Sequence, residues 1–160
     1  MAIVERLARL SDRMFDAVRD KRAFMVTEDD AVDGDFDSLR GQQYVLLVTF
    51  RRTGEAVPSP VWLGLDDQGH GYLKTAPEVG KVKRLRHDDR VLLAPCNARG
   101  KPTGQAVKGT GRVLPREEWP RAEAALAAAY GSGRKVFERV LGSSEDQTAY
   151  IEVRPARITS

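Results

Sequence analysis

Lys74, Thr75 and Lys81 are the residues of this sequence best suited to hold an anion. Two ammonium groups and a hydroxyl can each donate a hydrogen bond to a phosphate group. Lys81 also lies near the start of the basic stretch VGKVKRLRH, residues 79–87, which predicts a helix with unpaired N–H groups in its first turn. These residues predict a phosphate site. Spacing alone favours a simpler interpretation, an exposed helix whose basic side chains are only solvated.

A second set of residues could lie beside an aromatic ring system. The segment Ser59-Pro60-Val61-Trp62 follows another proline, which predicts an edge strand with free backbone N–H and C=O groups. Such an edge can hydrogen-bond a flat heterocycle. Gln105, on another predicted strand, could reach a ring carbonyl or nitrogen through its carboxamide. The alternatives are core packing for Trp62 and a half-exposed position without a special role for Gln105.

The other reactive side chains do not form a catalytic or metal-binding set. Cys96 and His87 lie across a predicted strand from each other with no third group to orient them, which argues against a hydrolase. His70 has no Cys, His or Glu partner at a metal-ligand spacing. The sequence also lacks a P-loop and the glycine fingerprint of a dinucleotide-binding βαβ unit. We therefore expect no metal.

Composition predicts one soluble, cytoplasmic protein. The 160 residues are 41% hydrophobic, which suffices for a full core, and the single cysteine suits a reducing compartment. Charged residues interrupt every apolar run of residues 1–15, so we expect neither a signal peptide nor a membrane span. The net charge of +3 favours an anionic small ligand or weak nucleic-acid contact.

The apolar pattern predicts a mainly β fold with helices. Residues 3–18 form an amphipathic helical stripe, and residues 28–37 hold six acidic side chains that predict a solvated linker. We divide the chain into this N-terminal helix and linker, residues 1–34, and a barrel domain, residues 35–160. Strands are predicted over residues 44–50, 57–65, 72–75, 91–94, 105–114 and 149–153, and helical segments over 35–40, 79–87, 115–129 and 135–140. About six antiparallel strands with a helix between the third and fourth predict a barrel.

Residues 44–114 resemble the pyridoxamine-phosphate-oxidase-like split β-barrels, particularly the actinobacterial branch of probable coenzyme F420-dependent enzymes. The matching phrases are YVLLVTFRRTGEAVPSPVWLGL, YLKT, GKVKRLRHDDRVLLAPCNARGKPTG and AVKGTGRVL. They occur in order and with family-like spacing, so they outweigh the solvated-helix interpretation of residues 79–87. The fold class that the resemblance implies is an α+β, FMN-binding-like split β-barrel.

The resemblance also implies a homodimer with two flavin or deazaflavin sites at the subunit interface. Gly80 and Val79 stand where FMN-using oxidases often carry an arginine and a serine, which disfavours pyridoxamine-phosphate oxidation and favours the deazaflavin. Lys83 and Arg84 are weaker candidates for contact with its acidic tail. The implied cofactor residues are Ser59, Pro60, Val61 and Trp62 along the ring, Lys74, Thr75, Lys81 and Val82 at the phosphate, and Gln105 at the ring from the fifth strand.

The expected activity is hydride transfer from reduced F420 to an unsaturated or carbonyl-bearing organic substrate. The cofactor carries the reactive carbon, so no side chain has to be catalytic, although Tyr72, Tyr130 or a water molecule could supply a proton. The alternatives are an FMN-dependent oxidoreductase and a non-catalytic flavin-binding or haem-binding protein. A basic helix could also contact nucleic acid, but we expect neither a nucleic-acid nor a membrane partner.

Overall fold

A computed structural model describes residues 21–130 and 148–156. The described chain contains the strands β1 (Tyr44–Phe50), β2 (Ala56–Val61), β3 (Gly64–Leu65), β4 (Gly71–Thr75), β5 (Arg90–Cys96), β6 (Val107–Val113) and β7 (Ala149–Pro155). Helix α1 (Gly80–Leu85) follows β4, and helix α2 (Trp119–Tyr130) follows β6. Short 3-10 turns cover Lys21–Met25, Asp37–Leu39 and Arg116–Glu118. The helices predicted over residues 3–18 and 135–140 lie outside the described residues.

The strands form one antiparallel sheet in the order β2-β1-β5-β6-β7-β4-β3. β2 and β3 are neighbours along the chain but stand at opposite ends of this sheet, joined by only Trp62 and Leu63. The sheet therefore curls until its two end strands approach each other. This architecture confirms the mainly β prediction and is consistent with a split β-barrel.

The predicted count of six strands is wrong, because the described residues form seven. The segment predicted as one strand, residues 57–65, divides into β2 and β3 on either side of Trp62. Each half then pairs with a different neighbour, β2 with β1 and β3 with β4. The predicted helix between the third and fourth strands is confirmed as α1, which joins β4 to β5 in the observed numbering.

The inner face of the curled sheet holds the main core. Alternate residues of each strand point to this face, as the period of two requires, and α1 closes it by inserting Val82 and Leu85. β1 is buried on both faces, which explains its nearly continuous apolar sequence. Members of the inner core include Val45, Leu47, Leu73, Leu93, Ile151 and Val153, all at most 1% exposed.

The acidic segment before the barrel is a loop that lies along the sheet. Val32 donates its N–H to the Ala106 carbonyl at 3.0 Å and accepts the Lys108 N–H at 2.9 Å. Ala31 is buried against the outer face of β1 and β5, and Phe36 is completely buried in the inner core. The expectation of a solvated linker therefore holds for the acidic side chains but not for the backbone and apolar residues between them. The domain division after residue 34 stays a prediction.

We expect Phe36→Ala to destabilise the protein by about 3–5 kcal/mol, because the substitution leaves a cavity in the inner core. The control is Asp33→Ala in the same loop, where the side chain is exposed and the change should stay within about 0.5 kcal/mol. Urea unfolding at neutral pH measures both. Equal stability of the two variants would show that the acidic segment is a detached linker.

Candidate functional site

The curled sheet leaves an opening between its two end strands. β3 pairs with only two residues of β4, Gly64 opposite Tyr72 and Leu65 opposite Gly71. Within the described residues, the rest of β4 has a strand partner on its β7 side alone, and β2 pairs on its β1 side alone. We call this opening the seam and define it by residues 59–62 on one side and residues 73–75 on the other.

The seam borders two groups of predicted site residues that are separate in sequence. The observed pairing of β3 with β4 ends at Gly64 and Tyr72, so residues 59–62 precede it on one strand and residues 73–75 follow it on the other. A shared role for the ring segment and the phosphate residues of β4 stays a prediction. Two prolines within β2 suit its edge position, since proline has no N–H to donate to a missing neighbour.

Lys74 and Thr75 leave β4 on opposite faces. Lys74 follows Tyr72 on the face covered by α2 and pairs with Tyr150, which belongs to the same outer cluster. Thr75 pairs with Ala149 on the inner face and is only 7% exposed. The two side chains therefore do not lie on one face of the sheet, and their joint role at a phosphate stays a prediction.

Helix α1 places Lys81 and Val82 differently. Lys81 is half-buried in the first turn, whereas the side chain of Val82 is completely buried in the inner core. Val82 can therefore offer a ligand only its backbone. Arg84, one of the weaker candidates, donates its Nε–H to the buried Thr49 hydroxyl at 2.6 Å. A Cβ on Gly80 would lie 2.5 Å from a terminal nitrogen of Arg84, so the glycine leaves room for the guanidinium.

Trp62 borders the seam and also packs against aromatic side chains. Its indole stacks on Tyr130 with ring centres 5.5 Å apart, and it meets Tyr44 edge-on at 6.2 Å. Tyr130 donates its hydroxyl to the Leu63 carbonyl at 3.0 Å, which fixes the end of α2 against the link between β2 and β3. Burial raises the pKa of Tyr130 to about 12, so this hydroxyl stays protonated at neutral pH.

Gln105 lies at a different cleft from the seam. β6 begins at Val107, so the predicted position of Gln105 on the fifth strand is wrong. Pro102 forms an isolated bridge with Cys96, Gly104 lies in a bend, and the Gln105 carboxamide donates to the Asp30 carbonyl. The cleft around it has a volume of about 310 Å³ and is lined by Arg22, Met25, Val26, Asp30, Pro102, Gly104, Gln105 and Ala106. A role for Gln105 at a cofactor ring stays a prediction.

Sequence reasoning missed a buried carboxylate at Glu152. The side chain is 1% exposed and accepts hydrogen bonds from the Tyr72 hydroxyl at 3.0 Å, Arg112 Nε at 3.1 Å and Arg154 Nε at 2.7 Å. Arg121 of α2 lies 3.5 Å from the same carboxylate. Glu152 directly faces Arg112 in the β6–β7 register, which no spacing in the sequence reveals.

Hydrogen bonds to Glu152 keep its carboxylate charged despite burial. Burial raises the pKa of Glu152, but the hydrogen bonds from Arg154, Arg112 and Tyr72 together lower it below its usual range, so the carboxylate stays ionised. Burial and the hydrogen bond to Glu152 raise the pKa of Tyr72 well above its ordinary value. The Tyr72 hydroxyl therefore keeps its proton and donates a hydrogen bond to Glu152. This argues against the role of Tyr72 as a proton source for a substrate, which the sequence had suggested.

The structure also places the side chains that were considered for hydrolysis and metal binding. Cys96 is buried, and burial raises the pKa of its thiol to about 12, so it remains a thiol at neutral pH. His87 is exposed in the loop after α1. Among residues 21–130 and 148–156 no cluster of His, Cys, Asp and Glu could hold a metal ion. In the same ranges no helix is long and apolar enough to cross a membrane.

Solved structures with a similar fold include a protein of unknown function, a haem storage protein and a FAD-binding protein. Protein Atu2129 of Agrobacterium tumefaciens, of unknown function, has a TM-score of 0.55 and 18% identity over 71% of this chain, which spans only 48% of that protein. HutZ, the haem storage protein of Vibrio cholerae, has a TM-score of 0.55 and 12% identity over 73% of this chain and 84% of its own. A FAD-binding protein of Mesorhizobium loti has a TM-score of 0.52 and 15% identity, over 74% of this chain and 83% of that protein. At these identities the likeness shows the fold alone.

No family model matches this sequence, and no curated protein matches it. The functional argument therefore rests on the seam and on the residues around it.

The ionised Glu152 predicts a loss of stability in acid. Its folded pKa lies below the unfolded value of about 4.3, so its contribution is present above that pH and is lost as the pH falls through the folded pKa. Glu152→Gln should destabilise the protein by about 1–3 kcal/mol at pH 7 and flatten the stability profile below pH ~4. Glu117→Gln, an exposed site beside α2, is the control and should change neither. Urea midpoints across this range test the prediction, and identical profiles of wild type and Glu152→Gln would contradict it.

Proposed function

We propose that the seam binds a flavin-type cofactor and that the protein is an oxidoreductase that depends on it. The observation that carries the proposal is the incomplete closure of the sheet: β3 pairs with only two residues of β4, and β2 pairs with β1 alone among the described strands. A flat heterocycle can bond to a strand edge, and Lys74, Thr75 and Lys81 are the groups that we propose for its phosphate. The FAD-binding fold neighbour and the resemblance of residues 44–114 to flavin-binding split barrels support this assignment.

The residues of the seam fit a ring that lies along the β2 edge. Tyr44 and Tyr130 already contact the Trp62 indole, so these contacts fix the position of Trp62 beside the edge. The Thr75 hydroxyl lies at the end of β4, where a phosphate can approach from the edge. When bound, a flavin or deazaflavin supplies the ring atom that accepts or donates hydride. The chain then has to bind, orient and shield this ring.

The finer assignment within this proposal is the deazaflavin F420, with an unsaturated or carbonyl-bearing organic molecule as substrate. It rests on Gly80 and Val79 in place of the arginine and serine of many FMN-using oxidases. FMN is the alternative cofactor of the same site. A second subunit covering the seam, as in a homodimer, would complete the cofactor enclosure that one chain leaves open.

Haem binding at the seam is a weaker candidate, although HutZ shares the fold. Haem iron usually takes a histidine, thiolate, methionine or tyrosine ligand. Of the two histidines, His70 lies in the β3–β4 turn with a buried Nδ1 atom, and His87 lies in the loop after α1. Neither belongs to the seam, and Cys96 is buried elsewhere as a thiol.

Titration of the apo protein with FMN and F420 side by side, followed by cofactor fluorescence, tests the proposal. Lys81→Ala should weaken binding of the preferred cofactor about 10- to 100-fold, the loss expected for one hydrogen bond to a charged group. Lys101→Ala is the matched control, because Lys101 is half-buried like Lys81 but lies in the loop after β5, outside the seam. It should change the affinity by less than about twofold. Binding of neither cofactor below about 1 mM, equivalent to about 4 kcal/mol, would contradict the proposal.

A further inference from the structure

A second opening lies at the far end of α1, between the β1–β2 hairpin and the loop that enters β5. It has a volume of about 500 Å³ and is lined by Arg51, Arg52, Gly54, His87, Asp88 and Arg90. We call it the hairpin cleft. None of its lining residues belongs to the seam, so it is a separate surface.

Hydrogen-bonded turns build both walls of the hairpin cleft. In the hairpin, Gly54 donates to the Arg51 carbonyl at 2.8 Å, and Arg51 donates to the Glu55 carbonyl at 2.9 Å. Gly54 has φ +89°, a conformation that favours glycine, and no atom lies within 4 Å of the position where its Cβ would be. On the other wall, the Asp88 N–H bonds to the Arg84 carbonyl at 3.0 Å. The cleft is therefore open in front of two ordered turns.

The only carboxylate that lines the cleft among the described residues is already neutralised. Arg90 donates to Asp88 through Nε at 3.1 Å and through a terminal nitrogen at 2.8 Å. This hydrogen bonding lowers the pKa of Asp88. Arg90 also bonds to Glu28 at 2.9 Å and lies 4.7 Å above the Phe50 ring, so its position is fixed from three sides. Asp88 consequently does little to repel an anion.

The remaining cations of the cleft are available to a ligand. Arg51 lies 3.4 Å from Glu55, but both side chains are more than half exposed, and such pairs contribute little. Arg52 makes no ion pair or hydrogen bond through its side chain within the described part of the chain. His87, which the seam does not use, lies on the opposite wall. An anion entering here meets two guanidinium groups and an imidazole.

We propose that the hairpin cleft is a second anion site, which takes a small phosphate-bearing molecule. Guanidinium groups bind phosphate oxygens with paired hydrogen bonds, and Arg51 and Arg52 are adjacent in the turn that forms one wall. The cleft volume falls within the range of small-molecule sites, and apart from Gly54 its lining residues are arginine, histidine and aspartate, which suits an ionic ligand. The His87 ring contributes a further N–H donor.

Titration of the full-length protein with inorganic pyrophosphate, followed by backbone amide chemical shifts, tests this site. The amides of Arg52, Gly54 and His87 should shift and saturate at millimolar concentrations. Arg52→Gln should weaken this binding about 10-fold. Arg86→Gln removes the same charge from an exposed residue beside the cleft and should change the affinity by less than about twofold. Equal losses in both variants, or no saturation by about 10 mM, would overturn the proposal.

The same variants separate this site from the seam. Lys81→Ala should leave the pyrophosphate shifts at Gly54 unchanged, and Arg52→Gln should leave the affinity for FMN or F420 unchanged. If Arg52→Gln instead weakens cofactor binding 10-fold, the hairpin cleft is part of the cofactor site and the proposal of a separate site fails. Failure of cofactor binding alone would leave the pyrophosphate result standing.

Discussion

The link between β2 and β3 constrains the rest of the structure. Two residues, Trp62 and Leu63, connect strands that stand at opposite ends of a seven-stranded sheet. A link this short is possible only if the sheet curls through nearly a full turn, which buries one face as the inner core. Pairing with β4 begins only at Gly64, so the curl ends in an unclosed edge. The candidate cofactor site is a direct result of that incomplete closure.

Helix α2 stabilises the same region from outside. Tyr130 at its end bonds to the Leu63 carbonyl, and a Cβ on Gly64 would lie 2.9 Å from the Ala125 carbonyl oxygen. Arg121 reaches the buried Glu152 from the first turn of the helix. The charged cluster and the aromatic contacts therefore hold the helix against β4 and β7, and β4 forms one side of the seam. A rigid edge is what an oriented ring requires.

Local signals in the sequence were enough to predict most strands and helices. They could not predict which strands pair with each other. The run from Tyr44 to Phe50 is rich in β-branched and aromatic residues, and the basic stretch 79–87 opens near a glycine; both predicted elements are confirmed. The break at Trp62 was not predicted, because Trp62 and Leu63 carry no turn signal and the change of partner depends on the curl of the whole sheet. Glu152 was missed for a related reason. Its partners come from three other elements that only the fold brings together.

Amide hydrogen exchange with and without the cofactor tests the seam most directly. On adding saturating FMN or F420, the slowed amides should be those of Ser59, Val61, Trp62 and residues 73–75, which border the seam; Pro60 has no amide hydrogen. Slowing around Gly54 and His87 alone, or no change at residues 59–62 and 73–75, would contradict a cofactor bound between β2 and β4.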